Sequence, residues 1–163
     1  MLIRPERPSD AAAIRAVTVA AFAASAYGHN GEAGIVEALR ADGALAISLV
    51  AEEDGEVIGH VAFSPVTIGG VEGWQGLGPV SVAPAWQGRG VGQALIRDGL
   101  GSIEALGADG CVVLGEPAYY GRFGFESDSE LRFGTEASPY LQRLVWRGPA
   151  PSGEVRYHPS FLA

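Results

Sequence analysis

Apolar and polar positions recur with two different periods along this chain, and the change of period divides it into helices and strands. Residues 2–5 read as a short strand. Pro8-Ser9-Asp10 then carries helix-start chemistry, with Ser9 or Asp10 able to cap the run after it. Residues 11–24 are alanine-rich, with Ile14, Val17 and Phe22 near helical spacing, and predict a helix. Tyr27-Gly28-His29-Asn30-Gly31 reads as a loop. Glu32 to Arg40 puts Ile35, Val36 and Leu39 on one helical face, and Asp42-Gly43 ends it. The period then shortens. Ala44 to Glu52 predicts a strand, Glu53-Asp54-Gly55-Glu56 a hairpin turn, and Val57 to Ile68 a second strand closed by Gly69-Gly70. Trp74 to Val82 predicts a third strand interrupted at Gly78-Pro79. Proline cannot donate to a ladder, so Pro79 marks an edge, a bulge or a break. Strands linked by tight turns pair antiparallel.

The second half returns to helical spacing after a glycine-dense loop, Ala83 to Gly92. Val91 to Leu106 carries Val91, Leu95, Ile96, Leu100 and Ile103 on one side, while Gly99 and Gly101 each weaken that helix by roughly 1 kcal/mol. Gly107 to Gly110 reads as its cap, Cys111 to Leu114 as a fully apolar buried strand, and Pro117 to Phe123 as a short helix. Another strand begins at Gly124-Phe125-Glu126; Leu141 to Trp146 and Glu154 to Tyr157 predict the last two. No repeat or linker divides the chain, so residues 1–163 are expected to form a single domain.

Composition removes several functions. A hydrophobic share of 47% supports a core without metal or disulfide staples. Cys111 is the one cysteine, which rules out an intrachain disulfide and a cysteine metal cage. His29, His60 and His158 lack ligand spacing, so each reads as a surface or satisfied core histidine, and no metal is expected. All eleven basic residues are arginine. Without lysine there is no Walker phosphate loop and no Schiff-base chemistry. Nineteen carboxylates against these arginines give a net charge of −8, which disfavours a nucleic-acid partner. No apolar run approaches the roughly 18 residues of a membrane span, and the first residues lack the apolar run of a signal peptide. A cytoplasmic protein, monomeric or homodimeric, is expected.

The segment that carries chemistry is Val80-Ser81-Val82-Ala83-Pro84-Ala85-Trp86-Gln87-Gly88-Arg89-Gly90-Val91-Gly92-Gln93. A strand feeds a glycine-rich loop that opens directly into a helix. Helix N-termini present unpaired N–H groups and a positive dipole end, so the loop predicts an anion site. Gly88, Gly90 and Gly92 let backbone approach a phosphate, and Arg89 adds a forked cation. The dinucleotide fingerprint GxGxxG fails here. Started at Gly88 it ends on Gln93, and started at Gly90 it ends on Leu95. A strand running to Glu116 after the helix keeps that reading open, but the loop comes after antiparallel strands instead of opening a βαβ repeat.

Gln87-Gly88-Arg89-Gly90-Val91-Gly92 resembles the acetyl-CoA signature Q/R-x-x-G-x-G/A of the GCN5-related N-acetyltransferase family, and Tyr120-Gly121-Arg122-Phe123-Gly124-Phe125 resembles its Y-x-x-x-G-F block. The order of elements is similar over almost the whole chain. Leu114-Gly115-Glu116-Pro117 and residues 153–161 look like a bacterial subgroup of predicted acetyltransferases. The resemblance implies an α/β (α+β) fold with a mixed, mainly antiparallel sheet flanked by helices. It implies acetyl-CoA as co-substrate and no covalent acyl-enzyme. The pantetheine arm would pair with backbone of Val80 to Val82, Ser81 included, beside a bulge at Pro79. The diphosphate would sit on residues Gln87 to Gln93, and an amide at the bulge would polarise the thioester carbonyl. Tyr120 is the implied acid for the departing thiolate, with Phe123 beside the cofactor. Tyr119, its neighbour on the helix, reads as core.

The general base stays open between Glu116, Glu72 and water, and Glu116 before Pro117 reads equally as a helix-start anion. The acceptor is expected to be a cationic amine of a small molecule or protein, drawn by the net charge and by Glu32, Glu72 and Glu116. A non-catalytic acyl-CoA-binding or sensor module is the alternative.

Overall fold

The computed structural model describes residues 1–23 and 31–162. Positions 27–30 of the expected first loop, with His29, and the last residue of the expected first helix lie outside the described residues. Strand β1 (Leu2–Pro5) leads through a turn into helices α1 (Ala11–Ala23) and α2 (Glu32–Ala41). Strands β2 (Ile47–Glu53), β3 (Glu56–Ile68) and β4 (Val71–Val82) come next, then helix α3 (Val91–Ala105) and strand β5 (Gly110–Leu114). One-turn helix α4 (Pro117–Tyr120) and strands β6 (Glu126–Ser127), β7 (Leu131–Arg132), β8 (Leu141–Val145) and β9 (Gly153–Arg156) complete the order.

The strands line up as β1-β2-β3-β4-β5-β8-β6, with β9 pairing β3 and β7. Every pairing is antiparallel except β4 with β5 and β7 with β9. The hairpins form where the glycines permit them: Asp54 and Gly55 sit at φ 51° and 81°, and Gly69 and Gly70 at 55° and 81°. Such left-handed pairs match the twist of the flanking strands.

The two sheet faces are covered by different helices. Val61 and Phe63 of β3 join Val91, Leu95, Ile96 and Ile103 of α3 in the main core, while Val50 of β2 meets Ile14 of α1 and Val36 of α2 on the opposite face. Close approach of α3 rests on two missing side chains. A Cβ at Gly59 would come within 3.0 Å of Leu95 and Val91, and one at Gly99 would lie 2.3 Å from the Phe63 ring. The cost of Gly99 to the helix is therefore the condition for docking it. Gly101, by contrast, faces open space. Gly99→Ala is expected to destabilise the protein by about 1–3 kcal/mol through overpacking, and Gly101→Ala to stabilise it by about 0.5–1 kcal/mol. Opposite shifts of the denaturant midpoint for the two variants are the check.

Several local expectations change. Asp10 does not cap α1 with its side chain. Its carboxylate accepts the Arg7 N–H at 2.6 Å and pairs with Arg4 at 2.8 Å, and the Arg4 bond holds its pKa down at about 2. Strand β5 is not wholly buried, because Leu114 at its end is 52% exposed. The two-residue β7 and the turn Pro159–Leu162 carried no periodic signal. Among the described residues no helix is long and apolar enough to cross a membrane.

The break at Pro79 is a bulge. Val61 pairs with Val80 and Phe63 with Leu77, so β4 spends one residue more than β3 across Gly78-Pro79, whose peptide is cis. On its other side β4 pairs with β5 only at Trp74–Gly110, Gln75–Cys111 and Gly76–Val112. Beyond Gly76 the ladder between the two parallel strands ends, and the β4 edge from Leu77 to Val82 has no strand partner there among the described residues.

Candidate active site

The parted strands open onto the loop that starts α3. After β4 the chain makes one tight turn, Pro84–Trp86, and Gln87 then folds back so that its side-chain amide donates to the Val82 carbonyl at 3.0 Å. Gly88 and Gly90 take φ 78° and 81°, and a Cβ at either would meet nothing within 4 Å among the described residues. These left-handed turns aim the loop into the helix while leaving the space before them open. That space is a cleft of about 240 Å³ lined by Val82, Trp86, Gln87, Gly88, Gly90 to Gln93, and Tyr119. The first N–H groups of α3 have no intrahelical acceptor, so the cleft carries donors and a positive dipole end.

Arginines stand near it, outside its lining, with Arg97 at a separate pocket beside Phe123. The Arg89 guanidinium lies 5.1 Å over the Trp86 ring, and Arg122 lies 4.5 Å over Tyr119 while donating to its carbonyl at 2.8 Å. Arg97 of α3 stacks at 5.0 Å on Phe123. Stacking fixes these cations without neutralising them. A local basic mouth thus stands in a protein of net charge −8. Arg97, Arg122 and Trp86 were not among the residues expected here. Arg122, three positions after Tyr119 on a helical turn, was the signal in the sequence.

The strand residues of the expected site fall where it needs them. Val80 and Val82 are half-buried against the α3 core, and Ser81 is buried with its side chain away from that core, directly opposite His60 of β3. The two tyrosines share the task differently from the expectation. Tyr119 is not plain core: it lines the cleft, with its hydroxyl 3.5 Å from where a Gly92 Cβ would stand. Tyr120 sits deeper, its ring over Gly115, where a Cβ would come within 2.4 Å of it, and edge-on to Phe125 at 6.0 Å. The two rings touch at 5.0 Å, because a single turn leaves neighbours only about 100° apart around the axis. Burial pushes the Tyr120 phenol up to about 12, and Tyr119 is raised by burial against the pull of Arg122 and Arg97. Phe123 is packed in the Arg97 stack and against both tyrosines, outside the lining of the cleft.

The carboxylates separate. Glu116 stands at the start of α4, but its carbonyl, not its carboxylate, serves the helix, accepting the N–H groups of Tyr119 and Tyr120 at 3.0 Å. Glu116 thus stands at the helix start, ahead of Pro117 as expected, but its side chain is exposed and makes no cap bond. Glu72 lies at the opposite end of β4 from Val82, roughly 30 Å away at the ~3.3 Å rise of a strand. It lines a different pocket with Trp74 and Tyr157, so it leaves the set of acceptor-side groups. Glu32 is buried at the start of α2. Cys111 is fully buried, with its thiol pushed up by burial against the Leu77 backbone bond that lowers it, and this is no nucleophile. His158 holds Asp42 at 2.8 Å near the far pocket. Among the described residues no cluster of three or more His, Cys, Asp or Glu could hold a metal ion.

Comparisons with known proteins agree with this geometry. The model of the Acetyltransferase (GNAT) domain matches residues 44–127. The Escherichia coli (strain K12) protein named Uncharacterized N-acetyltransferase YhbS is 41% identical over 99% of this chain and 98% of its own length. Among solved structures, a GNAT family acetyltransferase from Brucella melitensis in complex with acetyl-CoA is 55% identical, covering 98% of this chain and 97% of that one with a TM-score of 0.88. YhbS from Escherichia coli in complex with CoA superposes with a TM-score of 0.90 at 37% identity, over 99% and 92% of the two chains.

Proposed function

The chain belongs to the GNAT acetyltransferase family, and on that premise we propose that it moves the acetyl group of acetyl-CoA to a primary amine by direct attack, residues 1–163 acting as one catalytic domain. The observation that carries this reading is the gap between β4 and β5, which opens at the bulge and ends on the N-terminus of α3. In this reading the diphosphate sits on the backbone of Gly88 to Gly92, with Arg89 beside it. The pantetheine arm runs along the free edge of Val80 to Val82 as an added strand. Gln87 acts by holding the loop closed on Val82, and Tyr119 closes the cleft from above Gly92. Arg97 and Arg122 extend the phosphate-binding field.

Tyr120 serves as donor to the leaving sulfur. With its phenol near 12 it stays protonated at neutral pH. Giving that proton up to a thiolate, whose own pKa is near 8.5, would run uphill by about 5 kcal/mol. A hydrogen bond that stabilises the thiolate is the cheaper role. The acceptor is an amine that is cationic in solution and gives its extra proton to solvent before the neutral nitrogen attacks. The net charge of −8, with Glu116 exposed at the start of α4, keeps the outer field negative, while the arginines confine positive charge to the cofactor side.

A panel of polyamines, amino sugars and lysine-containing peptides, assayed for thiol release from acetyl-CoA, tests the reaction. Absence of release with every amine would end the proposal. Direct attack predicts that protein incubated with acetyl-CoA alone gains no acetyl mass. Exposed charges are screened beyond about 10 Å in 0.1 M salt. Raising ionic strength should therefore lower kcat/KM for the amine and leave kcat nearly unchanged; a rise in kcat/KM would reverse the sign assigned to the acceptor field.

A further inference from the structure

Strand β5 gives up its partner just before the chain turns toward the two tyrosines, and a side chain supplies the bond that goes missing there. The last pair of the β5–β8 ladder is Leu114 with Leu141. Gly115 then gives its N–H to the Tyr140 carbonyl at 2.9 Å. In a regular antiparallel pair the residue opposite returns the bond. Tyr140 does not, because its N–H goes to Ser138 Oγ at 3.2 Å. The Gly115 carbonyl is taken instead by the side-chain amide of Gln142 at 3.0 Å, which also reaches the Tyr140 carbonyl at 3.4 Å. Gln142 is 1% exposed, and its Oε1 is buried without a partner among the described residues.

Burying an unpaired amide oxygen costs free energy, and an apolar side chain of the same length would fill the place without that cost. What such a side chain cannot do is fix the peptide between Gly115 and Glu116. That peptide carries α4. The next carbonyl, that of Glu116, accepts the N–H groups of Tyr119 and Tyr120 at 3.0 Å. The Tyr120 ring rests on Gly115 itself, so closely that a Cβ there would lie 2.4 Å from it. One peptide thus holds Tyr120 twice, by its main chain and by its ring. Gln142 reaches it from the correct side of the sheet: it pairs with Val113, which shares the α3-side core with Tyr120 and Phe125. Tyr119 has a further anchor in Arg122, which donates to its carbonyl and stacks over its ring. Tyr120 is seated by the platform and by neighbouring rings.

Resting on the acetyl transfer proposed above, in which Tyr120 donates to the leaving sulfur, we propose that Gln142 is a positioning residue for that step: its amide locks the Gly115 carbonyl and so sets where the Tyr120 hydroxyl stands. A donor aimed at developing charge works only in place, and a displacement of about 1 Å can cost about 100-fold in rate. Gln142 lies on β8, on the far side of β5 from β4, and is not part of the lining of the cofactor cleft. Loss of its amide therefore acts on the chemical step and spares the loop at the start of α3.

Gln142→Met keeps the length of the side chain and removes both its donors and its orphaned oxygen, so the variant should fold. Three measurements decide. Carbon-13 NMR of protein labelled at tyrosine Cζ, with the Tyr120 signal assigned by its loss in Tyr120→Phe, should show that signal displaced. The Tyr157 signal, from the separate cluster around Trp74 and Val112, should stay in place. The single-turnover rate with the fastest amine of the panel should fall about 10- to 100-fold at unchanged acetyl-CoA affinity. In a Tyr120→Phe background the same substitution should cost nothing more, since both changes act through one hydroxyl. A role confined to stability would leave the losses to multiply. An unmoved Tyr120 signal, a wild-type rate in Gln142→Met, or losses that multiply in the double variant overturn the proposal. Should Gln142→Met fail to fold, Gln142→Asn, whose amide is drawn back by one carbon from Gly115, carries the same readouts. A wild-type protein that acetylates no amine sinks the reaction and this role together, whereas normal turnover undiminished in the variant sinks the role alone.

Discussion

Tyr120→Phe is expected to lower kcat about 100-fold while leaving the affinity for acetyl-CoA unchanged. The substitution removes one oxygen from a ring fixed on both sides. Gly115 leaves room for one face, and Phe125 meets the ring edge-on. Phenylalanine keeps those contacts, so the fold and the cofactor cleft stay as they are. The substitution takes away a donor in a desolvated site, where a bond to developing negative charge is strongest. The loss should fall on the chemical step, because the sulfur carries charge only as the C–S bond breaks. Single-turnover kinetics beside calorimetric titration of acetyl-CoA separates the two effects. A variant with wild-type single-turnover rate removes Tyr120 from the reaction. Tyr119→Phe is the useful contrast: its hydroxyl stands over Gly92, so its loss should touch affinity before rate.

Local chemistry made the sheet legible. Asp54-Gly55 and Gly69-Gly70 announce hairpins because few residues tolerate their positive φ. Pro79 announces the bulge because it has no N–H to give. The loop from Gln87 to Gly92 is legible for the same reason: its glycines, and the helix they open, form one continuous stretch of chain. Elements of two residues, such as β7, escape because so short a pattern has no period.

Contacts between distant positions were not legible. Gly99 looked like a defect of its helix until Phe63, from another element, was seen lying on it. Ser48 bonds the Glu6 carboxylate and lies 2.8 Å from His60 Nε2, a file that draws on three separate segments. Strand register brings them together: Pro5 pairs with Leu49, which sets Glu6 beside Ser48, and Val50 pairs with His60. Nothing in the spacing of those residues announces the file, so His60 read as a satisfied core histidine when only one of its nitrogens is satisfied. Glu72 misled for the opposite reason. It stands just ahead of the strand's apolar core in sequence, but an extended strand turns that sequence distance into a length comparable to the whole domain.

Gly90→Val is expected to weaken acetyl-CoA binding roughly 30-fold or more, about 2–4 kcal/mol, with the domain still folded. Gly90 is the residue before α3, at φ 81°, a conformation in which a β-branched side chain is strained. Space is not the difficulty within the protein itself, since a Cβ there meets nothing within 4 Å. Either of two responses then costs affinity for the cofactor. The backbone can relieve its strain by turning away from the left-handed region, which swings the N–H groups of the loop off the diphosphate. If the backbone instead holds, the valine methyl groups stand in the open space where the phosphates belong. Arg89, stacked on Trp86, cannot compensate, because a single cation does not replace several aligned N–H donors. The core should be indifferent, since Val91 and Leu95 anchor α3 from below the loop. Calorimetric titration with acetyl-CoA, beside a thermal melt of the unliganded protein, measures both halves. Wild-type affinity in a folded Gly90→Val protein would move the diphosphate off this loop.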